Sequence, residues 1–186
     1  YSLSTSFDLS TASYDSVSFS VSGQDSVPTG IAFNSDGTKM YMAGYNSRSV
    51  YSYSLSTAFD LSTASYDSVS FSVSSEITDL SDITFNNNGT KMFVVGSTNG
   101  SIYQYTLSTA FDVSTASYDS VSFSTSGQES SPYGIAFKGD GTKLYVVGIT
   151  NDTIYQYSTA SLTQTLDLAT GTTFSFTPSG ATTVSF

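Results

Sequence analysis

The stretch Ile31-Ala-Phe-Asn-Ser-Asp-Gly-Thr-Lys-Met-Tyr-Met-Ala43 reads as two short apolar runs joined by a turn, and copies of it follow at 83–95 and 135–147. Asp-Gly between apolar runs is a strong hairpin signal, because glycine supplies the positive φ that tight turns need. The dipeptides Asp36-Gly37, Asn88-Gly89 and Asp140-Gly141 stay in register, as do Lys39, Lys91 and Lys143. The run after each turn is apolar at successive positions, so both of its faces must be covered. Gly44, Gly96 and Gly148 end it and open a polar loop.

Working outward, Val50-Tyr-Ser-Tyr-Ser-Leu55 alternates with period two and reads as a third strand. Ser16-Val-Ser-Phe-Ser-Val21 alternates as well, apolar inward and serine outward, and reads as a half-buried fourth strand. Helical periodicity is found nowhere. The same 52-residue offset aligns nearly the whole chain. Segments 1–22 and 53–74 differ only at Ser6 and Ala58, and 105–126 departs from the second copy at Thr106, Val113 and Thr125. Four short antiparallel strands in about 50 residues match one blade of a β-propeller. A blade cannot bury both faces alone, so neighbouring blades must cover it. A β-sandwich or linear β-stack built from the same hairpins is the alternative.

The expected fold class is therefore all-β, with four-stranded antiparallel blades in about three and a half repeats. Tandem repeats span 1–160, with 1–52, 53–104 and 105–156 in register, and 161–186 is a divergent C-terminal β segment that begins another β unit. The chain opens within a period, at its third strand. Closed propellers need at least about four blades. Completion is expected from further repeats of a longer parent chain or from other copies of this one, unless the stack stays open.

Composition narrows the function. Of 186 residues, 40 are Ser and 26 Thr, whereas 5 Lys+Arg face 15 Asp+Glu for a net charge of −10. Nucleic acid and anionic membranes are poor partners for such a chain, since both require clustered cations. No apolar run suits membrane insertion, and a mature or excised chain without a leader ahead of Tyr1 is expected. The absence of Cys and His removes disulfides, thiolate or imidazole nucleophile pairs and nearly every zinc site. Abundant Tyr and Phe argue against disorder. An extracellular setting (secreted, cell-surface or virion) is expected.

The Ile31 to Tyr41 run and its copies resemble the Ser-Pro-Asp-Gly-Thr-Lys motif of bacterial surface-layer propellers of the YVTN type, with Ser35, Asn87 and Gly139 where that motif has proline. The block Leu55-Ser-Thr-Ala-Phe-Asp-Leu-Ser-Thr-Ala-Ser-Tyr66 is similar to long propeller repeats of marine bacterial secreted proteins and phage tail-fibre-like proteins. The resemblance implies architecture, not activity.

Three residue sets invite chemistry. Acids at Asp8, Asp60, Asp112 and at Asp15, Asp67, Asp119 are copied three times; an active site is built once, so they are expected to cap turns locally. The Asn34 to Gly37 turn lacks the further acids of a calcium loop, so no cofactor is expected, with a structural calcium as the lesser alternative. Tyr51, Tyr103, Tyr155 and Tyr53, Tyr105, Tyr157 are sugar-stacking candidates, with core packing the plainer role. The loops that differ between copies are the informative ones. The second-to-third-strand loop and the link into each first strand emerge on one side. That face nominates Tyr45, Asn46, Arg48, Asn99, Asn151, Asp152, Asp25, Glu76, Glu129 and Tyr133 as ligand-binding residues. The expectation is a non-enzymatic binding or adhesion module toward a cell-surface glycan or protein, or alternatively a fibre-forming subunit, and no enzyme.

Overall fold

In the computed structural model of the chain, residues 1–158 are described. The first full blade runs β3 (Pro28–Phe33), β4 (Lys39–Gly44), β5 (Ser49–Leu55) and β6 (Ala64–Ser72), after a short pair β1 (Ser2–Leu3) and β2 (Ala12–Ser13). The second repeats it as β7 (Leu80–Phe85), β8 (Lys91–Gly96), β9 (Ser101–Leu107) and β10 (Ala116–Ser124). The third contributes β11 (Pro132–Phe137), β12 (Lys143–Gly148) and β13 (Ile154–Ser158). Each sheet is antiparallel with its strands in chain order. The sequence-predicted blade is thus present. The divergent segment 161–186 lies outside the described residues.

Glycine closes the first turn of every blade: Gly37, Gly89 and Gly141 have φ of +73°, +71° and +72°. Asn34 closes the same turn from the other side, its side-chain oxygen accepting the Lys39 N–H at 2.9 Å. The loop from third to fourth strand holds a one-turn 3₁₀ helix at Leu9–Thr11, Leu61–Thr63 and Val113–Thr115. Asp8, Asp60 and Asp112 cap it by accepting the N–H of Ser10, Ser62 and Ser114. That is the expected local role.

The other acid set behaves differently. Asp67 reaches across two strands to Lys39 Nζ (2.7 Å), Ser52 Oγ and Ser54 Oγ. Asp119 takes Lys91, Gln104 and Thr106 in the same way. They are cross-strand ties, not turn caps. The cause is a bulge at Ser68 and Ser120, which sit at φ of +59° and +56° and turn the preceding acid back over the sheet.

A second departure concerns Ser16 to Val21, which forms no strand although all but the last residue of each copy lies within β6 or β10. By repeat register its partners would precede Tyr1, and β1 offers only Ser2 and Leu3. Its apolar side is nevertheless in place: Phe19 meets Tyr53 edge-on at 5.5 Å, as Phe71 meets Tyr105 at 5.5 Å.

The core lies at the seams between blades. Ala43 and Val50 of the first blade cluster with Ile83 of the second. Val95 and Ile102 of the second cluster with Ile135 of the third. Each fully buried aliphatic side chain of this kind contributes about 1.5–3 kcal/mol. Tyr53 and Tyr105 are buried, which favours their core role. The phenol of Tyr41 crosses a seam to donate to the Phe111 carbonyl at 2.5 Å. Burial, with the negative charges of Asp67, Asp112 and Asp36 adding to it, raises its pKa well above the usual range, so it stays a donor. Among the described residues no helix is long and apolar enough to cross a membrane.

Candidate functional site

The variable loops nominated by sequence divergence are tied together locally. The Tyr45 N–H donates to the Val27 carbonyl at 3.0 Å and the Ile149 N–H to that of Ser131 at 3.2 Å, so the two variable segments are bonded side by side. One buried carboxylate per blade locks them. Asp25 accepts the N–H of Val27 and of Ser47, both at 2.7 Å. Asp79 accepts the Thr98 N–H at 2.7 Å and the Ser97 hydroxyl. Glu129 accepts from Ser131, Thr150 and Asn151. Burial pushes the pKa of Asp25 and Glu129 upward, but these hydrogen bonds outweigh it and hold both below the ordinary carboxylate value. Their oxygens serve the loops.

The amides are also engaged locally. Asn46 donates to Ser26 Oγ, Asn99 to the Glu76 carbonyl and Tyr103 hydroxyl, and Asn151 to the Gln128 carbonyl. Glu76 accepts the Tyr105 hydroxyl at 2.9 Å. Arg48 and Asp152 share the left-handed turn position that Gly100 fills in the second blade. Tyr45 and Tyr133 stand exposed. The nominated residues thus divide into those engaged within the loops, such as Asp25, Glu129 and the amides, and those that stand exposed, such as Tyr45 and Tyr133.

A more localised arrangement lies where the innermost strands meet. Asp82 on β7 occupies the position held by Gly30 on β3 and Gly134 on β11, so it is an acid outside the copying. One carboxylate oxygen accepts the Ile83 N–H at 2.8 Å, and the other accepts the Ile135 N–H of the next blade at 3.0 Å. A Cβ at Gly30 would stand 2.7 Å from Asp82 Oδ1, and one at Gly134 would stand 3.8 Å from Oδ2. At position 30 only glycine fits, because a Cβ would also stand 2.9 Å from the Asp82 Cα, whereas at 134 the contact with the acid would be an ordinary one. Burial raises the pKa of Asp82 above its ordinary value, with the two backbone N–H groups pulling the other way. The result is a carboxyl that gains and loses a proton nearer neutrality than a surface aspartate.

Each inner strand also carries a bulge just before this position, at Thr29, Ser81 and Tyr133. Thr29 uses its hydroxyl to bind the Ala43 and Leu80 carbonyls. The buried Ser81 hydroxyl has no partner among the described residues. Sequence reasoning passed over Asp82, although the signal was present as an acid aligned with two glycines at the 52-residue offset.

No family model and no curated protein matches the chain. Solved structures do. A Bacteroides uniformis protein assigned as a 6-phosphogluconolactonase superposes with a TM-score of 0.55 at 12% identity, covering 74% of this chain and 38% of its own. The periplasmic gluconolactonase PpgL of Pseudomonas aeruginosa gives 0.52 at 14%, covering 70% and 35%. Hsv2 of Kluyveromyces marxianus gives 0.52 at 11%, covering 80% and 40%. The likeness establishes the propeller-type fold, and the chain spans less than half the length of these structures. The resemblance to surface-layer, marine secreted or tail-fibre repeats finds no counterpart among them.

These neighbours also correct the functional expectation of a non-enzymatic adhesion module or fibre subunit. Proteins named as lactonases are built from blades of this kind. The absence of His and Cys is accordingly no ground for excluding an enzyme. Proton transfer can rest on a carboxyl, and the repeat that seemed to forbid a unique acid holds one at Asp82.

Proposed function

We propose that the chain supplies blades to an enzyme-type propeller that hydrolyses a small, uncharged, polyhydroxylated lactone at its innermost strands, with Asp82 handling the proton. The observation that carries this reading is the unrepeated Asp82 carboxyl with its raised pKa at the meeting of three blades. In the ionised form it takes a proton from the water that attacks the lactone carbonyl. It then returns the proton to the ring oxygen as the acyl C–O bond breaks, leaving a hydroxy acid. An uncharged substrate is favoured over a phosphorylated one because β3, β7 and β11 carry no Lys or Arg. The lactonase names of structural neighbours support the reaction class, and the periplasmic neighbour is compatible with a site of action outside the cytosol.

The test is acid release from glucono-δ-lactone in a pH-stat, with and without the whole chain. Wild type should exceed the spontaneous rate, and Asp82→Asn should abolish the excess while keeping its circular dichroism. The wild-type rate should rise with pH as Asp82 ionises. No acceleration by wild type, or full activity in Asp82→Asn, overturns the reading.

A further inference from the structure

We propose that two copies of this chain join head to tail through their open end blades and close into one six-bladed ring. The argument comes from comparing equivalent residues. Two seams already exist in the chain, and each is built from the same three positions: Ala43, Val50 and Ile83 at the first, Val95, Ile102 and Ile135 at the second. The next members of the series are Val147 and Ile154 at one end and Ile31 at the other. Within the two formed seams these positions are at most 7% exposed, whereas Val147, Ile154 and Ile31 are 43%, 71% and 58% exposed. Both halves of a third, identical seam are therefore carried by one molecule, at opposite ends, where they cannot meet each other.

The backbone tells the same story. Ser16 to Val21 lies against the first blade as a fourth strand should, but has no strand on its hydrogen-bonding edge. Among the described residues β13 pairs only with β12. In the complete blades Val50, Tyr51 and Ser52 oppose Phe71, Ser70 and Val69, and Ile102, Tyr103 and Gln104 oppose Phe123, Ser122 and Val121. The same register sets Ile154, Tyr155 and Gln156 of one copy against Phe19, Ser18 and Val17 of the other. Tyr157 and Ser158 then fall on the place of Tyr1 and Ser2 of the other copy, so one pair turns aside at the join.

The occupant is a second copy because the free surface is complementary to the chain's own opposite end. Two is the number because propellers run to roughly 4–8 blades. The described residues of one copy bring three, so those of two bring six and those of three would bring nine. Two equivalent seams related by a two-fold axis close the ring and leave no free face. Each copy carries a net charge of −10, so added salt should strengthen the pairing by screening repulsion.

Sedimentation equilibrium of the whole chain across concentration is the first test, and the expected mass is twice 19.7 kDa. Ile154→Asp, at a side chain exposed in the single chain, should keep the circular dichroism and weaken association by more than about a hundredfold, since each seam would bury an unpaired charge. The chain has no cysteine, so a second measurement is clean. Mixing Ser18→Cys chains with Tyr155→Cys chains under oxidation should give a heterodisulfide in preference to either homodisulfide. A monomer at all concentrations, as when the chain's own C-terminal residues cover β13, overturns the proposal. So does an open-ended series of sizes, or pairing that Ile154→Asp leaves untouched.

Discussion

Replacing Gly89 or Gly37 by alanine tests the blade architecture with an internal control. Both glycines sit in the same turn at nearly the same φ, +71° and +73°. Both would place a Cβ against a phenylalanine ring, at 2.2 Å for Phe111 and 2.3 Å for Phe59. The backbone strain of alanine in the left-handed region is common to the two and costs about 1 kcal/mol. The rings differ. Phe59 is 60% exposed and can swing into solvent. Phe111 packs against Phe85, and its carbonyl accepts the Tyr41 hydroxyl across the seam, so it has nowhere to go. Forcing atoms into such a packed place costs a further ~1–3 kcal/mol. Gly37→Ala should therefore lose about 1 kcal/mol and Gly89→Ala roughly 2–4 kcal/mol. For a chain of this size each kcal/mol lowers Tm by about 2–4 °C, so thermal melts by circular dichroism separate the two. Equal losses at both sites would refute the claim that a neighbouring blade pins Phe111.

Two further outcomes follow from the carboxylates. Burial raises the pKa of Asp67 and Asp119, but hydrogen bonds from Lys39, Ser54 and Ser52, and from Lys91, Thr106 and Gln104, outweigh it and hold both below the ordinary aspartate value. Their stabilisation is thus present above the unfolded-state pKa near 4 and is lost as pH falls through the lower folded-state value. Urea midpoints of a double Asn variant should accordingly fall less steeply below pH 4 than those of wild type, and parallel curves would contradict the assigned ties. Asp79→Ala orphans the Thr98 N–H and the buried Ser97 hydroxyl, which should cost about 1–3 kcal/mol and speed amide exchange at Thr98; unchanged exchange there would count against the loop lock.

Much of the blade was legible because its signals are local. The Asp-Gly and Asn-Gly turns, the two-faced second strand and the alternating third strand each follow from residue order, and the structure places them at β4, β8 and β12 and at β5, β9 and β13. The first strands start earlier than their apolar runs suggest, at Pro28, Leu80 and Pro132. The residues there pair through a bulge at Thr29, Ser81 and Tyr133, which only a neighbouring strand makes possible. The inverted role of Asp67 and Asp119 depends on serine at positive φ, which that residue type does not announce. The outward strand of the first copy was predicted from a pattern identical to that of its siblings, and it lacks pairing for want of a neighbour. Pattern specifies what a strand is able to do, and register with a partner decides whether it does it.

The candidate site escaped notice for the opposite reason. In a chain that copies itself, identity marks what the scaffold requires, so the acids that recur are the conspicuous ones. A recurrent acid in these blades is a cap or a cross-strand tie, as Asp60 and Asp67 show. At the innermost strands recurrence is physically barred. A side chain at position 30 would need a Cβ 2.7 Å from an oxygen and 2.9 Å from the Cα of Asp82, closer than a second acid could stand. One acid with glycine beside it is the arrangement that fits. In the run Gly30, Asp82, Gly134 the glycine at 30 is thus required by the close approach of Asp82, whereas a side chain at 134 would meet Val147 before it met the acid.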